Sequence, residues 1–420
     1  MRLSVQISVT VLKTDKSTIK KKDNKTMNDL TACNSTMAFL APSATLAISA
    51  KAKAMKAAGE DVCSMGAGEP DFDTPAHIKQ AAIEALLRGE TKYTPASGIP
   101  ELKKAIAEKF ERDNHFKVDP SQITISPGAK FSGFAAIVSL CGIGDEVILP
   151  APYWVSYPEM IKAAGAKAVI VPCLAENGYE LDPADFEKAI TPRTKLLILN
   201  SPSNPTGAVW RRSTIEKIAE IALKNNIMVM SDEIYEELVY DADAEHTSIA
   251  SLSPEMLEHT VTINGLSKAY AMPGWRLGYL AAPAWLSKRI NAFQSHTTAN
   301  PTSFVQFGAI AALNGPQDEV VSMRNAFAKR RDLIYSLASS IEGIKAVRPQ
   351  GAFYLFLDIS SFGLASADFV AKLLDQEKLA AVPGDAFGDD RCIRLSYACS
   401  EELIRKSLDR LASFCASLKK

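Results

Sequence analysis

Leu196-Leu197-Ile198-Leu199 is a run of four apolar residues that stops at Asn200-Ser201-Pro202-Ser203-Asn204-Pro205-Thr206-Gly207. A helical pattern over 214–224 follows, and then a second apolar run, Ile227-Met228-Val229-Met230. Neither run alternates apolar with polar residues, so each reads as a strand covered on both faces. Strand, turn-rich loop, helix and strand in that order describe an α/β layer. Gln122–Ile125, Glu146–Leu149, Ala168–Val171, Val261–Ile263 and Leu277–Ala281 repeat the pattern. These segments predict a large domain on a mostly parallel sheet of seven strands, over residues 76–309.

The flanks read differently. Ser43 opens a helix through Leu46, Ile48, Ala52 and Met55 that stops at Gly59. Another begins at Pro100, with Leu102, Ile106 and Phe110 on one face. Beyond about residue 310 come a long amphipathic helix, 321–339, and short strands around Phe353–Leu357 and Ile393–Ser396. That change of pattern predicts a smaller α+β domain. Nothing before Gly68 reads as a sheet core, so the N-terminal helix is assigned to this domain, which then comprises 37–75 and 310–420.

Composition removes several functions. The 420 residues carry 47 Lys+Arg against 48 Asp+Glu, a net charge of −1 that argues against a general nucleic-acid binder. No apolar run reaches the ~18–20 residues of a membrane-spanning helix. Seven scattered cysteines form no C-x-x-C pair and stand apart from the five histidines. No metal site or disulfide framework is expected, and reduced thiols suit a cytoplasmic protein. Residues 1–26 hold seven basic residues against two acidic ones, +5, which leaves −6 for the rest. Residues 1–36 read as a tail, disordered or targeting-like, with Met27 as an alternative start.

Gly66-x-Gly68 has Asp71 where a dinucleotide fingerprint needs its third glycine, and no phosphate loop of the G-x-x-x-x-G-K-[ST] type occurs. The stronger constellation lies after the apolar runs. Ser126-Pro127-Gly128-Ala129-Lys130 joins a strand to a helix whose free N–H groups suit a phosphate. Asn204 sits in the loop after 196–199, and Asp232 and Tyr235 follow 227–230. Lys268 lies five residues past Val261–Ile263, and Arg276 eight beyond the lysine. Polar groups at the carboxyl ends of neighbouring strands are where open α/β sheets bind ligands.

Taken singly, each of these residues is as readily a cap, a turn or a surface cation. Their joint order carries a resemblance. Pro42-Ser43-Ala44-Thr45, Gly68-Glu69-Pro70-Asp71-Phe72-Asp73-Thr74-Pro75, Lys92-Tyr93-Thr94 and Pro152-Tyr153-Trp154-Val155-Ser156-Tyr157 are joined by Asn204-Pro205-Thr206-Gly207 and Ser231-Asp232-Glu233-Ile234-Tyr235. Ser267-Lys268-Ala269-Tyr270-Ala271-Met272-Pro273-Gly274-Trp275-Arg276 and Arg394-Leu395-Ser396-Tyr397-Ala398 complete the set. From Pro42 onward the chain resembles the class I aminotransferases of the pyridoxal-phosphate fold-type I family, in their aspartate aminotransferase branch. Pro273 departs from the Thr common among relatives and leaves the Lys268–Arg276 spacing intact.

The resemblance implies that Lys268 forms the Schiff base with pyridoxal 5'-phosphate and moves the proton between Cα and C4′. It implies that Asp232 keeps the pyridine nitrogen protonated, that Tyr235 and Asn204 donate to the phenolic oxygen, and that Trp154 stacks on the ring. Backbone N–H groups at Ala129 and Lys130, the Ser267 hydroxyl, Arg276 and Tyr93 of the partner subunit would take the phosphate, in a homodimer with shared active sites. Arg394, aided by the backbone near Gly68, would clamp the substrate α-carboxylate. Lys130, with Thr45 nearby, would meet the distal carboxylate of a dicarboxylic amino acid or 2-oxo acid. Aspartate–2-oxoglutarate transamination is the leading expectation, and prephenate, another dicarboxylate, the second. Another class I transamination, β-elimination, and a non-catalytic sensing domain are the remaining alternatives.

Overall fold

The computed structural model describes residues 40–418, so the tail expected over 1–36, with its targeting reading, lies outside the described residues. In chain order the strands are β1 (Cys63–Ser64), β2 (Ile123–Ser126), β3 (Glu146–Ala151), β4 (Lys167–Pro172), β5 (Thr194–Asn200) and β6 (Met228–Asp232). They continue with β7 (Thr260–Gly265), β8 (Gly278–Ala281), β9 (Lys345–Ala346), β10 (Tyr354–Asp358), β11 (Leu379–Ala380), β12 (Val382–Pro383) and β13 (Cys392–Ser396).

The seven apolar segments form one sheet in the order β2-β8-β7-β6-β5-β3-β4. All neighbours are parallel except β8, which runs antiparallel to both β2 and β7. Leu196, Leu197, Val229, Val261 and Ile263 are fully buried, as strands covered on both faces require. β4 forms an edge and keeps part of its surface open. β5 extends one residue and β6 two residues past their apolar runs, because parallel pairing carries Asn200 alongside Asp232. Both polar residues are therefore fixed by strand backbone, Asp232 as the last residue of β6 and not beyond it.

A second sheet, β12-β13-β10-β9, is antiparallel and pairs Phe356 with Arg394 and Tyr354 with Ser396. The helix Asp318–Ser339 contributes Val320, Met323, Phe327, Arg331, Ile334 and Ala338 to the interior, at steps of three and four residues. Phe327, Phe353, Leu355, Phe369 and Phe414 share one apolar cluster, and burying a side chain of that size contributes about 2–3 kcal/mol. One expectation is corrected. The segment before Gly68 does carry sheet structure, since β1 pairs in parallel with β11, Cys63 opposite Leu379. Two residues are too few to show a period, and only long-range pairing defines such a strand.

Candidate active site

The carboxyl ends of β5, β6 and β7 bring polar groups to one edge of the parallel sheet. Asn200 at the end of β5 donates from Nδ2 to the Asp232 carbonyl (3.0 Å), and its Oδ1 accepts from the Asn204 N–H (3.0 Å). The loop after β5 is thus tied to the end of β6. Asp232 Oδ2 accepts from the Tyr157 hydroxyl at 2.6 Å, and Oδ1 from the Ile234 N–H at 3.3 Å. Burial pushes the Asp232 carboxyl up to about 6, against the downward pull of those donors.

Lys268, just beyond β7, donates from Nζ to the Gly68 carbonyl at 2.5 Å and lies 5.9 Å from the Tyr235 ring. It keeps a partly open face, yet the protein around its ammonium pushes its pKa down to about 8. Desolvation is the main cause; Glu69 opposes it, and the charges of Arg394 and Arg276 reinforce it. Arg394, on β13, is buried. Its Nη1 donates to Asn204 Oδ1 and its Nη2 to the Gly66 carbonyl, each at 2.9 Å, while its buried Nε–H has no acceptor among the described residues.

Gly128 precedes the helix Ala129–Leu140 with φ 91°, and a Cβ there would collide with Arg276 Nη2. A glycine is therefore required for the guanidinium to reach the helix N-terminus. Arg276 is held by the Pro273 carbonyl (2.9 Å) and the Pro127 carbonyl (3.3 Å). The N–H groups of Ala129 and Lys130, in the first helical turn, have no intrahelical acceptor to use. Ser267 is buried. Lys130 Nζ lies 4.9 Å over the Trp154 ring, with its pKa lowered by burial and then by Arg276.

Among the described residues none of Lys130, Lys268, Arg276 and Arg394 forms an ion pair with a carboxylate. Arg394 is buried and Lys268 half-buried, and cations so placed ordinarily have partners, whereas Lys130 and Arg276 keep exposed surface. The arrangement is that of a site for a ligand with several negative groups. Two expected residues are not brought in. Tyr93 is 91% exposed, and Thr45 is half-buried on the helix Ala44–Ala57 with no hydrogen bond to Lys130.

The sequence pattern of the family "Aminotransferase class I and II" matches residues 60–411. The chain belongs to that family. It is 49% identical over 380 residues to an aspartate aminotransferase of Bacillus sp. (strain YM-2), covering 89% of this chain and 97% of that protein. It is 46% identical to an aspartate/prephenate aminotransferase of Cereibacter sphaeroides, covering 91% and 98%. The solved structure of the Thermus thermophilus aspartate aminotransferase with maleate superposes with a TM-score of 0.88, at 42% identity, covering 91% of this chain and 99% of that one.

Class I aminotransferases depend on pyridoxal phosphate, and the residues present fit it. A half-buried lysine of lowered pKa, an under-paired buried aspartate, and a glycine-bounded helix start beside an arginine with no carboxylate partner among the described residues are the groups such a molecule needs. Two aminotransferase-site residues have no counterpart among those expected from the sequence. Tyr157 stands inside a family motif with no role assigned to it, although it donates to Asp232. Tyr354 lies in an apolar strand, and its hydroxyl is 2.8 Å from that of Tyr235. No local signal marks either one, since tyrosine is common in buried strands and helices.

Proposed function

We propose that this chain is an aspartate aminotransferase that moves the amino group between L-aspartate and 2-oxoglutarate, giving oxaloacetate and L-glutamate by alternating half-reactions. The observation that carries this reading is the pair of unpaired cations, Lys130 and Arg394, in one site with Lys268. Two cations and a lysine match a substrate with two carboxylates and one amino group. The Thermus structure was solved with maleate, itself a dicarboxylate.

When bound, pyridoxal phosphate supplies an electron sink for the Cα–H bond pair. The chain's own residues do the rest. Lys268 anchors the cofactor and then moves the proton between Cα and C4′. Asp232, held by Tyr157, keeps the proton on the ring nitrogen. Asn204 gives its Oδ1 to Arg394, so its Nδ2 is free to donate, with Tyr235, to the ring oxygen. Trp154 covers the ring face. Ala129, Lys130, Ser267 and Arg276 hold the phosphate, joined by Tyr93 of the partner subunit in a homodimer, whose contact would cover a side chain that is 91% exposed. Arg394 and the backbone at Gly68 would hold the α-carboxylate, a clamp that would favour transamination over decarboxylation. Lys130 would meet the distal carboxylate, with Thr45 as a second contact only if the bound state brings it closer.

The same reading gives a cofactor domain over 76–309, a smaller domain from 37–75 and 310–420, cytoplasmic location and no nucleic-acid partner. No described helix is long and apolar enough to cross a membrane. Prephenate is the second reading, favoured by the Cereibacter relative and by the same two-cation geometry.

The test compares kcat/KM for oxaloacetate, prephenate, phenylpyruvate and pyruvate, in wild type and Lys130→Ala. Oxaloacetate is expected to lead, and Lys130→Ala to lower the two dicarboxylates by about 10–100-fold while sparing phenylpyruvate. Equal loss on all four would remove the distal-carboxylate role, and full turnover in Lys268→Ala would remove the whole reading.

A further inference from the structure

Tyr354 touches three parts of the site at once. On β10 it shares a face with Arg394 of β13, because Phe356 pairs with Arg394 and Tyr354 lies two residues away. Its ring backs the guanidinium, with Arg394 Cζ 4.4 Å from the ring centroid. Its hydroxyl is 2.8 Å from the Tyr235 hydroxyl, the two rings standing edge to face at 5.8 Å and 83°. The same hydroxyl would lie 2.9 Å from a Cβ at Gly68, so the glycine there keeps room for it. The residue is 1% exposed.

Two hydroxyls in contact share one hydrogen bond and have one proton to spare. Which oxygen keeps the spare proton depends on which is the better donor. Burial raises the pKa of both and Arg394 opposes the rise at both, but most strongly at Tyr354, whose ring lies against the guanidinium with Cζ 4.4 Å from its centroid. The 2.8 Å contact allows either oxygen to donate, and the guanidinium against its ring favours Tyr354 as the donor. No other hydrogen bond engages its hydroxyl among the described residues.

We propose that Tyr354 is a positioning residue for transamination: its hydroxyl donates to Tyr235, which leaves the Tyr235 proton for the cofactor's ring oxygen, while its ring braces the Arg394 clamp. The proposal rests on the reading of Tyr235 as a ring-oxygen donor. One side chain would then link the group that tunes the cofactor to the group that holds the substrate carboxylate.

A donor at the ring oxygen stabilises negative charge there and so favours the unprotonated form of the lysine–cofactor linkage. That linkage is followed by its visible absorbance as pH is varied in the holoenzyme. Tyr235→Phe is expected to raise the titration midpoint by about one pH unit. Tyr354→Phe is expected to raise it by about 0.3 unit, the share a supporting hydrogen bond adds to the one it polarises. In the double variant the midpoint should equal that of Tyr235→Phe alone. An unmoved midpoint in Tyr354→Phe, or a shift that persists without Tyr235, would overturn the relay. An unmoved midpoint in Tyr235→Phe would instead overturn the reading of Tyr235 itself, and the relay with it. For the brace, Tyr354→Phe keeps the ring and should leave KM for aspartate within twofold, whereas Tyr354→Leu should raise it about fivefold. Equal KM in both variants would refute that part.

Discussion

Asp232 and Glu233 are consecutive acids at the end of one strand, both buried, and their surroundings are opposite. Glu233 accepts from the hydroxyls of Ser231 (2.8 Å) and Ser248 (2.7 Å) and from Asn114 Nδ2 (3.0 Å), with His246 at 3.2 Å. Nearby Glu236 is paired with Lys109 and hydrogen-bonded to Asn264. Burial raises the Glu236 carboxyl, but Lys109 and His246 outweigh it and the net shift is downward. Asp232 has a single hydroxyl donor and one long backbone contact, and its pKa rises to about 6. Glu233, Glu236 and His246 bring ligand atoms within 4.8 Å of one another, a spacing a metal could use, yet protein donors already occupy the carboxylates. A buried acid whose partners are complete holds the fold together; one left short of partners is set up for a ligand.

Three substitutions or conditions separate the two halves of that contrast. The largest effect is expected for Asp232→Asn, with kcat lowered about 10³-fold as the ring nitrogen loses its counter-charge. Its stability should move the other way. The raised carboxyl pKa means that folding disfavours the ionised form, a penalty absent below the ordinary value of 3.8 and complete as pH rises past about 6. At pH 8 the cofactor-free variant should therefore match or exceed wild type in urea unfolding, by up to about 3 kcal/mol, and the difference should vanish near pH 4. A loss of stability at pH 8 would place Asp232 with the structural acids.

On the other side, Lys109→Met strands the Glu236 carboxylate in the interior and should cost about 3–5 kcal/mol in urea unfolding. The folded fraction should keep kcat within about threefold; a hundredfold fall would mean that the network belongs to the chemistry. The smallest effect is a pH dependence. Lys268 must be neutral to attack the cofactor aldehyde, and its pKa is lowered to about 8. The rate at which the apoprotein takes up pyridoxal phosphate should climb about tenfold per unit toward pH 8 and then level off. A plateau delayed to about pH 10 would mean that burial does not tune this lysine.

The two acids also mark how far the sequence could be read. Asp232, Tyr235, Lys268, Arg276 and Arg394 were legible because family motifs fix their spacing, and the seven strands because unbroken apolar runs show against polar loops. Glu233 sits inside the same motif as Asp232 and said nothing, since apart from Ser231 its partners come from residues 114, 246 and 248. Tyr354 was silent for a related reason: its partners, Tyr235 and Arg394, lie 119 and 40 positions away. The two-residue strands at 63–64 and 379–380 have no period to detect.

The sequence by itself determined the α/β class, the family and the identity of the charged groups, because these follow from local pattern and motif order. It also determined that a chain of net charge −1 carries few cations to spare for an anionic ligand. Only the tertiary structure decided which charges remain unpaired. Lys109 is neutralised by Glu236, while Lys130, Lys268, Arg276 and Arg394 have no carboxylate partner among the described residues. Pairing depends on what lies within a few ångströms, and folding sets those neighbours from segments hundreds of residues apart.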